Sequence, residues 1–469
     1  MGSAFFGLNI ALRGLTAQMQ ALDVVAHNIS NANTEGYSRQ QAVLKSTTDV
    51  GWGFNKQIGS GVEVDSVRRI RDALLDKQIR NQLSSLGNWE TRQRYLEEIE
   101  SIFNEPSDIG FASQFDRFWA AWQDLSSSPD SYSARSALVQ NASVLADTLR
   151  RDYQQLAGVR ARSENEIDAK INEVNGWLSD IAELNQKIAN EKAVGLDPND
   201  LSDRRDLLLD KLSKALKVHY QEEANGSITV RLNDSAGDIL VQDNKFYSLG
   251  RSGDFGPIQT NDGTVVIVED SELAAMVYMR DTVLNPSYEG SLAYRLNELA
   301  AGIIALVNKY HSIGFGYDGE TTGLNFFSGS DASDIAVDSV IVADPMKIAA
   351  ASAAHEPGNG EQAILIAQKL QNELGIPSGS PTATILDWYN GFIAKLGVDT
   401  RHAQDMASNQ GLLVSHLKIN RESFSGVSLD EEAVNLIRFE RAYQASANVM
   451  VTIDAMLDKL VNDVGLVGR

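Results

Sequence analysis

The first forty residues of the chain read MGSAFFGLNIALRGLTAQMQALDVVAHNISNANTEGYSRQ. Over most of this stretch an apolar or small residue recurs at alternating steps of three and four. That spacing is the a/d pattern of a coiled-coil helix, sustained for nearly four heptads. The pattern is carried by Phe5, Leu8, Leu12, Leu15, Met19, Leu22, Ala26 and Ile29. The stretch therefore predicts a long amphipathic helix with one apolar face.

The same spacing returns at the other end of the chain, where only Ser446 interrupts it. The positions are Leu436, Phe439, Tyr443, Ser446, Met450, Ile453, Leu457, Leu460 and Val464. One such helix buries too little apolar surface to offset the entropy lost when its residues become ordered. Two of them predict a protein that closes on itself at its ends, assembles with copies of itself, or both. An ordinary terminal helix pair on a globular core fits the spacing equally well.

Composition limits the classes of protein that the chain can belong to. Its 469 residues are 43% hydrophobic, enough for a core spread over two to four domains. A net charge of −22 argues against binding to nucleic acid. The lack of cysteine excludes disulfides and thiolate metal sites. We expect no membrane span and no conventional signal peptide, so a chain that leaves the cell would use another route.

Between its two ends the chain is predicted to be mostly helical. Helices are expected at residues 67–103, 111–126, 132–193, 201–216, 272–280, 287–313, 362–374 and 384–424. The longest of them contains neither proline nor a glycine pair, and a continuous helix of that length would span about 90 Å. Such a length indicates a rod-like helical bundle. The aromatic residues at helical spacing in residues 111–126 are predicted to form core.

A β region interrupts the helices. Residues 217–269 alternate apolar and polar positions and are punctuated by turn pairs such as Asn225-Gly226. The glycine-rich residues 314–360 either complete this β region or form a separate lobe. The predicted fold is thus mainly α with an inserted β domain, nested, elongated and multidomain, with terminal coiled-coil helices, a long helical bundle and an antiparallel β lobe. The predicted domains are residues 1–60 with 426–469, 61–216 with 285–425, 217–284, and the segment 314–360.

Chemistry-bearing motifs are missing from the sequence. No histidines have metal-ligand spacing, and neither a phosphate-binding loop nor a nucleophile elbow is present. We therefore predict no catalytic residue, no metal and no cofactor. The one local motif of note is a capping box, Ser428 with Glu431, which is predicted to open the last helix.

Residues 26–37 read AHNISNANTEGY, which resembles the pattern A-N-N-x-A-N-x-x-T-x-G-[YF] of the axial proteins of the bacterial flagellum. His27 and Ser30 depart from that pattern. Residues 428–447, SLDEEAVNLIRFERAYQASA, are similar to the terminal motif at the other end of those proteins. The motif residues in the first stretch are Asn28, Asn31, Asn33, Thr34, Gly36 and Tyr37. Within the family, residues 36–40 and 425–447 are most similar to hook-associated members.

The resemblance implies a structural role. Terminal helices would pair as an inner coiled coil lining an axial channel, and the outer domains would face the medium. Copies would form a ring or short helical layer at the junction between hook and filament. The implied partners are the hook protein, a second hook-associated junction protein and a cytosolic export chaperone, with neither nucleic acid nor membrane. The chain would pass from the cytoplasm through the flagellar type III system to its place outside the cell.

Two alternatives remain open on the sequence. The chain could be the hook protein itself, which would polymerise into long tubes instead of stopping after a thin layer. It could also carry an enzyme or adhesin lobe in residues 217–360 on a flagellar stem. We further hypothesise that the turn at residues 28–37 sets the angle between the inner and outer domains.

Overall fold

The structure is a computed structural model that describes residues 2–47, 49–51, 57–372 and 383–459. The helices are α1 (Gly2–Asn31), α2 (Ala73–Phe103), α3 (Phe111–Ser127), α4 (Tyr132–Ala193), α5 (Asn199–Ala215), α6 (Glu272–Tyr278), α7 (Leu292–His311), α8 (Ser339–Ala343), α9 (Glu361–Asn372), α10 (Ile385–Ser425) and α11 (Leu429–Asp458). The fold is mainly α with small antiparallel sheets, as predicted.

The strands are short and all pair antiparallel. They are β1 (Gln40–Ser46), β2 (Asp49–Gly51), β3 (Gln57–Gly59), β4 (Val62–Arg69), β5 (Val218–Glu222), β6 (Ile228–Leu232), β7 (Ile239–Gln242), β8 (Lys245–Phe246), β9 (Leu249–Arg251), β10 (Ile258–Thr260), β11 (Phe327–Ser328) and β12 (Ala336–Val337). One four-stranded sheet has the order β5-β6-β7-β8, and the other strands form two-stranded pairs.

The long helix α4 is the spine of the molecule. It runs for 62 residues without a break, or about 93 Å, and Ser131 caps its first turn. Helices α3 and α5 pack along it, and α2 packs along α10, α5 and α6. Apolar residues from these helices and from the β region form one continuous buried cluster. The α3 aromatics Phe111, Phe115, Phe118 and Trp122 are buried in it, which confirms that they are core.

The prediction of a helix from residue 67 was wrong at its start. Residues up to Arg69 continue strand β4, which pairs with β1 along its whole length. Helix α2 begins only at Ala73, where the Asp72 carboxylate accepts from the backbone N–H groups of Leu74 and Leu75. The charge-rich sequence before Asp72 resembles a helix surface, but Arg69 and Arg71 pair with aspartates of α5. The domain boundary predicted at residue 60 consequently falls inside a hairpin.

Residues 314–360 form a lobe that lies apart from the four-stranded sheet. The sheet contacts α4 near Asn185, whose side chain donates to the Ile228 carbonyl at 2.8 Å. The lobe contacts α4 at Arg135, which donates to the Ile348 carbonyl at 2.7 Å. These two points are fifty residues apart on the helix, or about 75 Å. Of the two alternatives left open by the sequence, the structure therefore has the separate lobe.

A buried histidine joins this lobe to α7. The Nδ1–H of His311 donates to the Leu324 carbonyl at 2.7 Å, and its Nε2 accepts from the Ala349 N–H at 3.0 Å. Both ring nitrogens of the neutral imidazole are therefore hydrogen-bonded. Burial lowers the pKa of His311 to about 4. An unfolded histidine has a pKa near 6.5, so below that pH the unfolded chain binds a proton that the folded chain rejects.

We therefore expect His311 to make the protein pH-sensitive on the acid side. Its contribution to the free energy of unfolding is intact above pH 6.5 and falls by about 2–3 kcal/mol between pH 7 and pH 4.5. Urea unfolding of the natural chain and of His311→Asn at both pH values measures the effect. The stability advantage of the natural chain should shrink at the lower pH. An advantage that is equal at both pH values contradicts the assignment.

Comparing the natural chain with His311→Asn also cancels the contribution of a second buried group that titrates in the same pH range. Burial raises the pKa of Asp152 to about 6. Its folded pKa lies above its unfolded value, so its contribution changes with pH in the opposite direction to that of His311. Both proteins keep Asp152, and its contribution therefore cancels in the difference.

Candidate assembly interface

Helices α1 and α11 form an antiparallel pair at one end of the molecule. A Cβ added to Gly7 would lie 3.1 Å from Ile453 Cδ1, and one added to Gly14 would lie 3.1 Å from Ser446 Oγ. Farther along, Asn28 reaches Glu432. In each of these three contacts the two residue numbers add up to 460, which fixes the antiparallel register of the pair. The serine that interrupts the predicted seam sits where a glycine lets the two helices approach closely.

The α1 residues that face α11 are not the predicted ones. The buried positions of α1 are occupied mostly by small residues: Ala11, Ala17, Ala21, Val25 and Asn28. The predicted seam lies on a neighbouring face of the helix. Of its members, Leu12 is 50% exposed, Met19 46% and Ile29 37%, while Leu8, Leu15 and Leu22 are partly buried. Small residues allow close helix contact, so the large apolar side chains are left on the outside of the pair.

On α11 the predicted seam does face the partner helix. The residues Phe439, Tyr443, Met450, Ile453 and Leu457 are partly buried on the side of α1, and Leu436 is 37% exposed. The Phe5 side chain, Leu460 and Val464 lie outside the described residues. Further apolar residues of α11 point away from α1, among them Val434, Ile437, Val449 and Met456, which are at least half exposed. A helix that is apolar on several sides is typical of one surrounded by other helices.

The motif at the end of α1 is organised around Asn28, which is buried. Its Nδ2 donates to the Gln40 carbonyl at 2.9 Å and to Glu432 Oε2 at 3.1 Å. Its Oδ1 accepts from the Gln40 N–H at 2.9 Å and from the Tyr37 hydroxyl at 2.7 Å. One side chain thus ties the end of α1 to strand β1 and to α11.

The other motif residues have smaller roles. Asn31 donates to the His27 carbonyl at 3.1 Å, and the Thr34 hydroxyl donates to Asn31 Oδ1 at 3.2 Å, which closes the helix end. Gly36 has a φ of +81° and packs against Leu207 of α5, so a side chain there would be strained. The exposed Asn33 makes no side-chain hydrogen bond in the part of the chain that the structure describes.

The predicted capping box at the start of α11 is only half formed. The Ser428 hydroxyl accepts from the Glu431 N–H at 3.4 Å, as expected of an N-cap. The Glu431 carboxylate does not return to the Ser428 backbone but pairs with Arg39 at 2.5 Å. Arg39 also pairs with the buried Glu432 at 2.7 Å. The acidic first turn of α11 is therefore used to hold the chain that leaves α1.

A charged cluster, which the sequence analysis missed, joins the terminal pair to the rod. Its basic members are Arg69, Arg71, Arg80 and Arg421, and its acidic members are Asp76, Asp203, Asp206 and Asp210. Asp206 contacts three of the arginines at 2.7, 2.8 and 3.1 Å. Although burial alone raises the pKa of Asp206, the nearby guanidinium groups hold it well below its ordinary value.

The same cluster fixes the chain between α1 and β1. Ser38 donates to Asp203 through its backbone N–H at 2.9 Å and through its hydroxyl at 2.7 Å. Gln40 donates to Asp200 at 2.8 Å.

The acidic face of α5 could have been predicted from the sequence, because Asp200, Asp203, Asp206 and Asp210 recur at helical spacing on this helix. Spacing alone did not show which basic residues lie opposite.

The contacts described above hold helices in fixed positions relative to one another. Within the described residues, no three His, Asp or Glu side chains are grouped as a metal site. No described helix is long and apolar enough to cross a membrane. What the geometry provides is an exposed apolar pair of terminal helices, held to a long rod by buried hydrogen bonds and ion pairs.

Comparison with known proteins first identifies a class. Residues 8–37 match the family described as "Flagella basal body rod protein", and residues 421–463 match "Flagellar basal body rod FlgEFG protein C-terminal". Both matches coincide with the terminal pair. Together they define a structural protein of the bacterial flagellar axis. A third match narrows this class. Residues 96–327, in the helical body of the molecule, match the family described as "Flagellar hook-associated protein FlgK helical domain".

Relatives at full length then identify the family. Flagellar hook-associated protein 1 of Bacillus subtilis is 33% identical over 100% of both chains. Its namesakes in Escherichia coli and Salmonella typhimurium are 24% and 25% identical, each over 97% of this chain and 99% of the relative. The chain belongs to the flagellar hook-associated protein 1 family, and it is a structural component of the flagellum.

A solved structure supports the fold. The flagellar hook junction protein FlgK from Burkholderia pseudomallei superposes with a TM-score of 0.63 over 74% of this chain and 100% of that chain. The sequence identity is 15%, so this likeness bears on the fold alone.

Proposed function

We propose that this chain forms the junction between hook and filament, as a self-assembling adaptor that stops after one ring or short helical layer. The apolar face of α1 that the protein itself leaves exposed carries the proposal. Helix α1 has only two charged residues, Arg13 and Asp23, in thirty, whereas 22% of the whole chain is charged. Depletion of charge around large apolar side chains is typical of the core of a protein interface.

The partners follow from this role. Copies of the chain would cover the seam residues of α1 and the outer face of α11. The hook protein and a second hook-associated junction protein would bind on the two sides of the layer. Before export by the flagellar type III system, a cytosolic chaperone would cover the apolar terminal helices, and the role requires no enzymatic activity. The FlgK protein from Burkholderia pseudomallei is described as a flagellar hook junction protein, which is the role that we propose for this chain.

Immunogold electron microscopy of isolated flagella tests the location. An antibody against residues 217–270, which lie outside the two terminal helices, should label a single band at the hook–filament boundary. Label along the whole hook would instead make this chain the hook protein. A flagellum without any label would overturn the proposal.

A substitution on the exposed face of α1 tests the mechanism. Leu12→Glu places a charge where we propose apolar contact between copies, and each buried leucine contributes about 1.5–3 kcal/mol. We expect incorporation into flagella to fall at least tenfold, as measured by immunoblotting of purified filaments. Gln20→Glu, which adds the same charge on the polar exposed face of α1, is the matched control. Equal incorporation of the two variants contradicts the proposed interface.

A further inference from the structure

A cleft of about 400 Å³ opens on the side of the rod, away from the terminal pair. It lies between α2, α10, the start of α7 and the π-helical turn Met279–Val283 that follows α6. Aromatic rings of Trp89, Tyr278, Tyr288 and Phe392 line it. Tyr278 and Tyr288 remain 40% and 49% exposed, so the cleft is open to solvent on one side.

One arginine in this cleft, Arg92, has no polar partner within the part of the chain that the structure describes. The Arg92 guanidinium carbon lies 5.1 Å from the centre of the Trp89 ring and 4.4 Å from that of Tyr278. Its Nε is buried without a hydrogen bond, and no carboxylate pairs with it in the described residues. Other buried arginines, such as Arg80 and Arg280, each pair with two carboxylates. The two rings hold the planar cation, and none of its N–H groups has a hydrogen-bond partner within the described residues.

Within the described residues, Arg92 is the one arginine or lysine of the cleft that makes no hydrogen bond. Lys395 pairs with Asp399 at 2.9 Å, and Arg295 donates to the Gly290 carbonyl at 3.0 Å. Glu289 also lines the cleft, so the site is not simply basic. The first residues of the 20-residue helix α7 line the cleft as well, and a helix N-terminus favours negative charge.

We propose that this cleft binds a carboxylate carried beside an apolar or aromatic group. A guanidinium matches a carboxylate with two parallel hydrogen bonds, and the surrounding rings provide the apolar contact. The buried Arg135 and Arg205 also lack a carboxylate, but both donate to backbone carbonyls, whereas Arg92 makes no hydrogen bond within the described residues. An acidic side chain of a neighbouring flagellar subunit and a free aromatic acid share this chemistry, and the experiment separates them.

The first arm of the experiment uses the full-length, unassembled chain and N-acetyl-L-phenylalanine in calorimetric titration. We expect saturable binding in the millimolar range. The uncharged amide of the same compound should bind at least tenfold more weakly, and Arg92→Gln should weaken binding of the acid by a similar factor. Lys77→Glu changes an exposed residue of the same helix and should leave binding unaltered. No saturable binding, or equal binding of acid and amide, overturns the proposal.

The second arm identifies the source of the carboxylate in isolated flagella. Tyr288 is replaced by a photoreactive benzoylphenylalanine, and cross-linked peptides are identified by mass spectrometry. A cross-link to a peptide with an exposed Asp or Glu assigns the site to a neighbouring subunit. Intact flagella without a cross-link, together with binding in the first arm, assign it to a free acid. A cross-linked peptide that lacks any acidic residue contradicts the carboxylate. The first arm needs no assembly, so its failure leaves the proposed junction role untouched.

Discussion

Replacing Asp206 with Asn should lower the free energy of unfolding by about 3 kcal/mol. The carboxylate is in contact with Arg69, Arg71 and Arg80, and its side chain is only 15% exposed. Removing one partner of a buried ion pair costs about 3–5 kcal/mol, because the remaining charge is left uncompensated. We expect the lower end of this range, since each arginine keeps one other aspartate.

The pH dependence provides a second check on Asp206. Because its folded pKa is held below the unfolded value, its contribution is present above pH 4 and is lost as the pH falls further. The Asn variant should therefore differ most from the natural chain near neutral pH. Urea unfolding measures both effects. Asp200→Asn, at a 64% exposed side chain of the same helix, is the control and should cost less than about 1 kcal/mol. A loss below 1 kcal/mol for Asp206→Asn would contradict the stabilising role that we assign to Asp206.

Replacing Asn28 with Ala should destabilise the terminal pair by about 3 kcal/mol and abolish motility in soft agar. The change removes one hydrogen bond each from the Gln40 N–H, the Gln40 carbonyl, the Tyr37 hydroxyl and Glu432 in a buried place. Tyr37 keeps its contact with His27, and Glu432 keeps Arg39. Each buried unsatisfied group costs about 1–3 kcal/mol, and the costs do not add fully. The end of α1 would then no longer be held to β1 and α11.

The isosteric change Asn28→Asp separates hydrogen bonding from shape. It keeps the side-chain volume but brings a carboxylate against the buried Glu432. At neutral pH it should be more damaging than Ala, and the difference should narrow as the pH falls and the new carboxylate takes up a proton. Asn33→Ala, in the same motif but exposed, should leave motility unchanged. Equal motility of the Asn28 and Asn33 variants would contradict the central place that we give Asn28.

Asn28 and the arginine–aspartate cluster explain how the terminal helices are held in a fixed position relative to the long helices of the rod. The terminal pair presents apolar surface to the outside, yet Asn28 fixes its end and the arginine–aspartate cluster fixes β4 to α2 and α5. Both connections are buried, and a buried polar network holds one geometry because any other leaves charges or donors unpaired. Our hypothesis that residues 28–37 set the angle between the inner and outer parts is compatible with this arrangement and stays a prediction.

Sequence alone determined the elements whose signal is local. The continuous α4 follows from an uninterrupted apolar repeat without proline, and the hairpin turn at Asn225-Gly226 follows from the residue types that a positive φ requires. The family resemblance was equally local, because two short motifs carried it. The start of α2 was misplaced because Arg69 and Arg71 fit a helix surface as well as an extended segment, and only their partners on α5 distinguish the two.

Tertiary structure decided which face of α1 meets α11. Both faces have heptad spacing, and a pattern of apolar residues ranks the face of Leu12 and Met19 above the face of Ala11 and Ala21. The actual contact is made by small residues, because close approach of two helices depends on the volume of both partners at each level, as Gly14 and Ser446 show. The role of Asn28 and the pairing of Asp206 have the same origin: each depends on residues far away in the chain, and spacing within one segment contains no information about them.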